Sequence, residues 1–433
     1  MRLRHDYLRE LRLRFSKTQH EIAEETGVDI RTYRKYETGE ISSISDKSLR
    51  ASQYEFLRNL AACYDLKGGP EELLVPDDAQ PEHTHHSPAG LPTSGCFTPV
   101  RYVHRPQEEA RALRRLERAG FPVVVQAPER FGATRFVGYL LNHPVGLPTT
   151  PLTIRLNLAR LLSLATSSGK PLLSVLAEHI LLKTCRDAGL AEERARLLRS
   201  LPTTERGKLS WLLEQYVLPS ASRIYFAFEH ADAVAGHPGQ ADFFGVLRSW
   251  SEAADTEPWG RLRLLLTIST EPSILEQGEY PSFFTVAAPI RLEEFDREQL
   301  LEMGALEGMS HPEAIDKLMM WIGGHPYLAK LAMQAACERD LDVDQLIEKE
   351  DVRRSVFAHH LTHLRRIVEG RPGLLDVVAR ILERSRLRVS LEDSCYLYKK
   401  GLTLEEDTGT LKLRCRLYED YFQSLCGARH LSK

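Results

Sequence analysis

Apolar and polar positions alternate in two different ways through the middle of the chain. Four runs are short, apolar and bounded by polar or turn residues: 121–128, 152–158, 223–229 and 263–269. Between them, apolar residues recur at helical spacing at 106–120 and through the long stretch 171–201. Buried strands that alternate with helices are typical of a parallel α/β sheet, which the pattern predicts over residues 100–295.

The pattern changes on either side of the predicted sheet. Residues 1–75 alternate short amphipathic stretches with turn residues and predict a small helical unit. Residues 76–99 have too few apolar side chains to offset the entropy of ordering, so we expect a flexible linker. After the sheet, the chain is mostly helical at 296–354 and closes with a smaller unit at 355–433. The sequence therefore predicts a multidomain protein.

Composition and charge narrow the class of protein. Hydrophobic residues make up 42% of the chain, and no apolar run approaches the roughly 20 residues that span a bilayer. The N-terminus has no continuous apolar segment, so we expect a cytoplasmic protein without a membrane partner. The seven cysteines lack metal-ligand spacing and predict buried thiols, with no metal site. A net charge of −3 is not a basic signature, although a local basic cluster can still attract phosphate.

Turn and capping residues divide the N-terminal unit into successive helices. Gly27 is placed to end one helix, and Asp29 is placed to cap the next, which has the sequence IRTYRKYE. The core-facing side of this helix is expected to hold Tyr36 together with Ile30 or Tyr33. Its remaining face is polar and basic.

This arrangement resembles the Cro-like, phage-repressor class of helix-turn-helix domain. The matching positions are Thr18-Gln19, Glu21-Ile22-Ala23, Gly27-Val28, Tyr36-Glu37 and Gly39. The resemblance implies DNA as a partner, with the IRTYRKYE helix in the major groove. It makes five residues candidate DNA contacts: Gln19, Arg31, Thr32, Arg34 and Lys35. A helical adaptor that binds protein through the same fold is the alternative.

A strand, a tight loop and a helix follow one another in FPVVVQAPERFGATRFVGYLL, at residues 121–141. A phosphate-binding loop needs this setting, because its amides point at phosphate while a lysine contacts phosphate and a hydroxyl contacts Mg²⁺. The aligned residues are Ala127, Pro128, Glu129, Arg130, Phe131, Gly132, Ala133 and Thr134. Ala133 stands where the lysine is required. Arg130 or Arg135 is the candidate replacement for its charge, acting from another backbone position.

An acidic strand end lies about 95 residues further along the chain. The stretch RIYFAFEHADAV has the form of a Walker B strand, with Glu229 in place of the metal-holding aspartate. His230 takes the place of the catalytic glutamate, and Asp232 follows. Phosphoryl transfer depends on positioned charge. Three of its usual sources are changed here: the loop lysine, the metal-holding aspartate and the catalytic glutamate. The sequence favours a pseudo-ATPase without catalytic residues over a hydrolytic enzyme.

Four short motifs accompany these elements: YVHRP (102–106), STEP (269–272), GGHPYL (323–328) and LKLRCRLYEDYF (411–422). Together they resemble the AAA-like ATPases related to the signal-transducing STAND NTPases, over about residues 99–422. The resemblance implies a P-loop NTPase-like parallel sheet, then a helical lid and a winged-helix C-terminal domain.

The same resemblance implies ATP or ADP with Mg²⁺ as ligands, and it makes His325 and Pro326 candidates for sensing the nucleotide. Two alternatives stay open. Pro326 is also suited to the first position of a helix, so GGHPYL can be an ordinary helix start. The altered loop can also be a dead site that is kept as architecture and holds no cofactor.

A polar and aromatic stripe near the C-terminus contains Tyr396, Tyr398, Lys399 and Lys400. It fits either a nucleic-acid contact of the winged helix or an edge strand with a solvated face. We expect the edge strand.

Two functions fit these observations. The first is a DNA-binding transcriptional regulator or signalling switch with a non-hydrolysing STAND-like body. The alternative is an ATP-binding or ATPase switch of a defence or signalling assembly, in which the N-terminal domain recruits a partner. Self-association is expected if the DNA site is palindromic, because one such module makes few phosphate contacts.

Overall fold

The computed structural model divides the chain into two compact units, Met1–Val100 and Arg101–Lys433. The structure describes residues 2–3, 8, 22–23, 30–38, 57, 60, 74–75, 102–143, 151–185, 188–275, 283–309, 311–339, 341–383, 389–406 and 410–430. The predicted linker at 76–99 lies outside these residues. No helix in the described part of the chain combines the length and the apolar character needed to cross a lipid bilayer.

The N-terminal unit contains the IRTYRKYE helix, which spans Ile30–Thr38. Tyr33 and Tyr36 are buried, because residues three positions apart lie on one face of a helix. The other buried hydrophobic residues described in this unit are Leu8, Ile22, Ala23, Leu57 and Leu60.

A short antiparallel strand pair joins the two ends of the N-terminal unit. Strand β1 (Arg2–Leu3) pairs with β2 (Leu74–Val75). Two-residue strands are too short to produce an alternating pattern, so the sequence does not predict this pair.

Five parallel strands form the sheet of the second unit. They are β3 (Val123–Gln126), β4 (Leu152–Asn157), β5 (Ile224–Glu229), β6 (Leu262–Ile268) and β7 (Ile290–Arg291). The order is β4-β5-β6-β3-β7. The first four strands confirm the predicted runs, whereas β7 is again too short to be recognised. Because β3, β6 and β5 run parallel, the loop after β3 and the acid that ends β5 lie at the same edge of the sheet, with β6 between them.

Helices cover both faces of this sheet. Their bounds are Pro106–Glu117, Ala133–Asn142, Leu158–Ser168, Leu172–Thr184, Ala188–Ser200, Glu205–Leu212, Gln240–Glu252, Pro272–Leu275 and Phe283–Val286. The first two pack with Val123 and Val125 of β3 in one core. A larger core on the other face includes Phe226 and Phe228 of β5.

The predicted helix over 171–201 is two helices, Leu172–Thr184 and Ala188–Ser200. The first ends at Cys185, whose backbone is extended. Apolar spacing alone misses this break, because the helical pattern resumes directly after it.

The region after the sheet is helical and includes a short hairpin. Its helices are Arg297–Glu307, Pro312–Ile322, Pro326–Arg339, Val343–Glu348, Glu350–Glu369, Leu374–Leu382, Leu391–Lys399 and Arg416–His430. The hairpin pairs β8 (Thr403–Glu405) with β9 (Leu411–Leu413). Buried side chains from Phe295 to Phe422 form one core. The boundary expected between residues 354 and 355 lies inside the helix Glu350–Glu369.

The expected edge strand around Tyr396 and Lys399 is wrong, since these residues belong to the helix Leu391–Lys399. The Ser390 side chain caps this helix by accepting a hydrogen bond from the Asp393 amide at 3.1 Å. Acidic residues in the first turn stabilise the same helix end.

Candidate functional site

The loop between β3 and the helix Ala133–Asn142 lies at the carboxyl edge of the sheet, where open α/β sheets bind ligands. Ala127 and Pro128 are buried where β3 ends. Arg130 and Gly132 have φ angles of 71° and 91°, which bend the chain sharply into the helix. Gly132 stands at the N-cap of this helix and has no side chain that could cap it.

The loop and the first turn of the helix contain no lysine. Ala133 is the first residue of the helix and is uncharged, while Thr134 and Arg135 are exposed at the following two positions. The Arg130 guanidinium is directed to His360, with its Nη1 2.8 Å from the histidine Nδ1. The backbone geometry of a phosphate loop is therefore present without its lysine.

Two lysines from the C-terminal region reach the loop. The Glu129 amide donates to the Lys399 carbonyl oxygen at 2.8 Å, and the Lys400 ammonium pairs with the Glu129 carboxylate at 2.5 Å. The Lys399 ammonium pairs with Asp232, 2.7 Å away. Asp232 follows β5 and is 3% exposed. The helix Leu391–Lys399 thus brings positive charge to the ends of two strands.

A turn at Gly401 allows this close approach. Its φ is 70°, in the left-handed region that favours glycine. A β-carbon there would lie 3.4 Å from the Glu129 carbonyl oxygen and 3.6 Å from His325 Nε2.

The Walker B-like acid is also bonded to a cation. Glu229 ends β5 and accepts two hydrogen bonds from Arg155 of β4, one of them from Nε at 3.0 Å. Lys183 adds further positive charge near this pair. Its pKa is lowered, first by burial and then by the charges of Arg155 and Arg160. The His230 amide donates to the Thr267 hydroxyl at 2.9 Å, and the His230 side chain is exposed.

The acids at this edge that could hold Mg²⁺ are engaged in ion pairs. Mg²⁺ takes oxygen ligands, and the carboxylates that follow β5 belong to Glu229 and Asp232. Both already bond to protein cations, Arg155 and Lys399. Within the described ranges, no three His, Cys, Asp or Glu side chains gather as a metal site.

A buried chain of polar side chains holds the other side of the loop. Arginine only donates, so Arg130 makes His360 Nδ1 the acceptor, and His360 Nε2 donates to the Tyr418 hydroxyl at 2.7 Å. Burial, then the Arg130 charge, lowers the pKa of His360 to about 3. This histidine is therefore neutral at pH 7.

His325 completes the buried side of the loop. Its ring packs on Phe131 with centroids 4.6 Å apart, and burial followed by His360 holds its pKa well below the usual range. The Arg414 guanidinium lies 4.7 Å from the centre of the Phe131 ring. Pro326 begins the helix Pro326–Arg339. GGHPYL therefore starts a helix and also places His325 against the loop, and a sensing role for His325 and Pro326 stays a prediction.

Sequence reasoning missed several residues of this site. Arg155 and His360 carry no local motif, and Tyr418 lies in the LKLRCRLYEDYF motif without being identified as a site residue. Lys399 and Lys400 belong to the polar and aromatic stripe that is predicted as an edge strand.

The predicted DNA contacts lie in the N-terminal unit. Arg31, Arg34 and Lys35 are exposed on the helix Ile30–Thr38, and Thr32 is half-buried. Gln19 lies outside the described residues.

Comparison with protein families finds two matches. A model described as an AAA-like domain matches residues 96–424, and one described as a helix-turn-helix matches residues 8–51. No curated protein matches the chain.

Solved structures resemble a large part of the chain. The Walker-type ATPase paby2304 of Pyrococcus abyssi is 14% identical, covers 74% of this chain and 96% of its own, and superposes with a TM-score of 0.51. The ORC2 protein of Aeropyrum pernix, in ADPNP-ADP complexes, is 15% identical, with 75% and 95% coverage and a TM-score of 0.43. The ORC1 protein of Aeropyrum pernix, in complex with DNA, is 13% identical, with 78% and 96% coverage and a TM-score of 0.38. The likeness to paby2304 agrees with a P-loop ATPase fold.

Proposed function

Because the chain belongs to the family of AAA-like domains, we propose that it is a DNA-binding transcriptional regulator whose AAA-like body does not hydrolyse ATP. One observation carries this proposal. The acids at this edge of the sheet, Glu129, Glu229 and Asp232, are each bonded to a cation of the chain itself, while Ala133 leaves the loop after β3 without its lysine.

The charges around the loop argue against hydrolysis. Phosphoryl transfer relies on positioned charge rather than on covalent chemistry. Loss of one such group typically lowers the rate by about 10²–10³-fold. This site lacks the loop lysine, has His230 in place of the catalytic glutamate, and has no unpaired acid after β5.

The N-terminal unit supports a DNA-binding role. It matches a helix-turn-helix model and presents Arg31, Arg34 and Lys35 on the exposed face of one helix. Arginine can contact guanine or phosphate from such a helix in the major groove.

DNA binding is tested with the full-length chain. Duplexes selected from a random pool are labelled and titrated by fluorescence polarisation. We expect Arg31→Ala with Arg34→Ala to weaken binding by about tenfold or more. Arg199→Ala with Arg354→Ala is the matched control, because it removes two exposed arginines of the second unit. Binding that survives the first pair unchanged would contradict the proposed reading helix.

Hydrolysis is tested by phosphate release from ATP. We expect no release above that of Thr134→Ala and Glu229→Gln variants. Turnover in the unaltered chain that either substitution abolishes would instead support an ATP-driven switch.

A further inference from the structure

The helix Pro106–Glu117 and the residue that follows it present arginines on one face, away from the nucleotide loop. Arg114, Arg115 and Arg118 lie three, four and seven positions after Arg111, a spacing that places side chains on the same side of a helix. Arg111, Arg114 and Arg118 are exposed, and Arg115 is half-buried. We call these four residues the arginine stripe.

No carboxylate neutralises the arginine stripe. In the part of the chain that the structure describes, Arg111, Arg114 and Arg118 form no ion pair. The helix has three acids, of which Glu109 is buried and pairs with His104 instead. Other surface arginines of the second unit pair with an acid one helical turn away, namely Arg248 with Glu252, Arg354 with Glu350 and Arg365 with Glu369. The stripe therefore differs from the surrounding surface in carrying unpaired positive charge.

The stability of the helix does not explain this arrangement. Like charges one turn apart destabilise a helix. Burial lowers the pKa of the Arg115 guanidinium, and the neighbouring Arg111 charge lowers it further, so the two cations repel each other. The helix dipole favours cations in the last turn, but Arg111 lies before that turn. A partner that supplies negative charge would remove the repulsion.

The guanidinium groups at the end of the stripe are held in place with donors still available. Arg115 donates to the Ala288 carbonyl oxygen at 2.5 Å, which fixes its side chain without neutralising it. The Arg118 guanidinium lies 4.1 Å from the centre of the Phe121 ring, which is 44% exposed. Stacking uses the face of the guanidinium, so its N–H groups can still bind phosphate.

The dimensions of the stripe fit the backbone of duplex DNA. At a rise of about 1.5 Å per residue, Arg111 and Arg118 are about 10 Å apart along the helix. Duplex DNA carries one negative charge for about every 1.7 Å of its axis, so several phosphates lie within that span. An anionic membrane fits less well, because interfacial helices insert a continuous apolar face. Here the apolar side of the helix, with Ala112 and Leu116, packs in the core.

We propose that the arginine stripe is a second DNA-binding surface, which contacts the phosphate backbone of duplex DNA without reading its sequence. This rests on the proposed function in one respect, namely that the N-terminal unit supplies the sequence-specific contacts. One such module makes few phosphate contacts, and a second charged surface in the same chain adds to them.

The test uses the full-length chain and fluorescence polarisation over a series of salt concentrations. The two duplexes have the same length: one is selected from a random pool, and the other has its sequence scrambled. The variant is Arg111→Gln with Arg114→Gln and Arg118→Gln. Each phosphate contact contributes about 0.9 to the slope of log affinity against log salt. We therefore expect the slope to decrease by about 2–3 and the binding of both duplexes to weaken by a similar factor of about tenfold or more.

Two further variants separate this surface from net charge and from loss of fold. Arg199→Gln with Arg354→Gln and Arg365→Gln removes three exposed arginines that are paired with acids, and it should bind as the unaltered chain does. Replacing the three stripe arginines by lysine keeps their charges and should keep the salt slope. Urea unfolding of the glutamine variant should match that of the unaltered chain.

Arg31→Ala with Arg34→Ala distinguishes this inference from the proposed function, since it should weaken only the selected duplex. If the stripe variant loses affinity and this variant does not, the reading helix is wrong and the stripe stands. If the stripe variant keeps the slope and affinity of the unaltered chain, the stripe is wrong and the reading helix is unaffected. Loss of binding to phosphatidylcholine vesicles with phosphatidylserine, beside unchanged DNA binding, would also overturn the inference. No binding of either duplex by the unaltered chain would overturn both.

Discussion

The two sides of the loop between β3 and the helix Ala133–Asn142 are held by contacts of different kinds. On one side, Phe131 packs on His325, and Arg130 continues into the buried His360 and Tyr418. On the other side, the lysines that follow Tyr398 pair with Glu129 and Asp232 at the open edge of the sheet. The first side is buried, and its histidines are neutral. The second side carries ion pairs and is partly exposed.

Because of this difference, we expect the buried side to contribute more to stability, while the charged side is the one accessible to a ligand. Removing the partner of a buried polar group lowers the free energy of unfolding by about 1–3 kcal/mol. Removing a buried ring also leaves a cavity, which lowers it further. A partly exposed ion pair contributes about 0–1 kcal/mol because water screens it. The buried side therefore contributes most to the position of the loop, and the partly exposed Lys400–Glu129 pair contributes less.

The largest expected effect comes from Gly324→Ala, on the buried side. A β-carbon at residue 324 would lie 1.9 Å from the Phe295 carbonyl oxygen, and the Gly324 carbonyl accepts the Phe295 amide at 2.8 Å. We expect a loss of about 3 kcal/mol or more in unfolding free energy, because the clash is with backbone. Urea unfolding followed by tryptophan fluorescence measures it, since all four tryptophans lie in the second unit. Gly427→Ala, in open space on the last helix, is the control and should not destabilise.

His360→Ala comes next. It leaves Arg130 and the Tyr418 hydroxyl without their shared partner and opens a cavity, so we expect a loss of about 2–4 kcal/mol. The same unfolding experiment measures it. His311→Ala is the control, because that side chain is exposed and makes no cap bond. If His360→Ala and His311→Ala were equally stable, the conclusion that the buried side stabilises the fold would be wrong.

The pH dependence of stability reports on the same histidine. Its pKa is about 3 when folded and about 6.5 when unfolded. Between these values the unfolded chain binds more protons, so stability falls as the pH falls from about 6.5 towards 3. The titration of His360 lowers the free energy of unfolding by about 2 kcal/mol between pH 7 and pH 5. We expect a shallower decline in His360→Gln; identical declines would contradict the assignment of a neutral buried histidine.

The smallest effect on stability is expected for Lys400→Gln. The Lys400–Glu129 pair is partly exposed on both sides, so the loss should stay below about 1 kcal/mol. Thermal unfolding of this variant beside His360→Ala sharpens the contrast. A loss as large as that of the histidine variant would mean that the charged side also sets the fold.

Local patterns predicted those elements in which apolar residues recur over several positions. The strands β3, β4, β5 and β6 appear as apolar runs, and Tyr33 and Tyr36 appear at helical spacing. The phosphate-loop setting and Ala133 were visible for the same reason, because a strand, a tight loop and a helix are adjacent in the chain. Two-residue strands such as β7 carry no such pattern.

The sequence by itself determined the order of the units, the inner strands of the sheet and the loss of the loop lysine, because these depend on neighbouring residues. Only the tertiary structure decided which charges stand at the loop. Lys400 and Glu129 are 271 positions apart, and no periodicity relates them. Their pairing depends on the helix Leu391–Lys399 ending against the loop, which follows from packing of the whole C-terminal core.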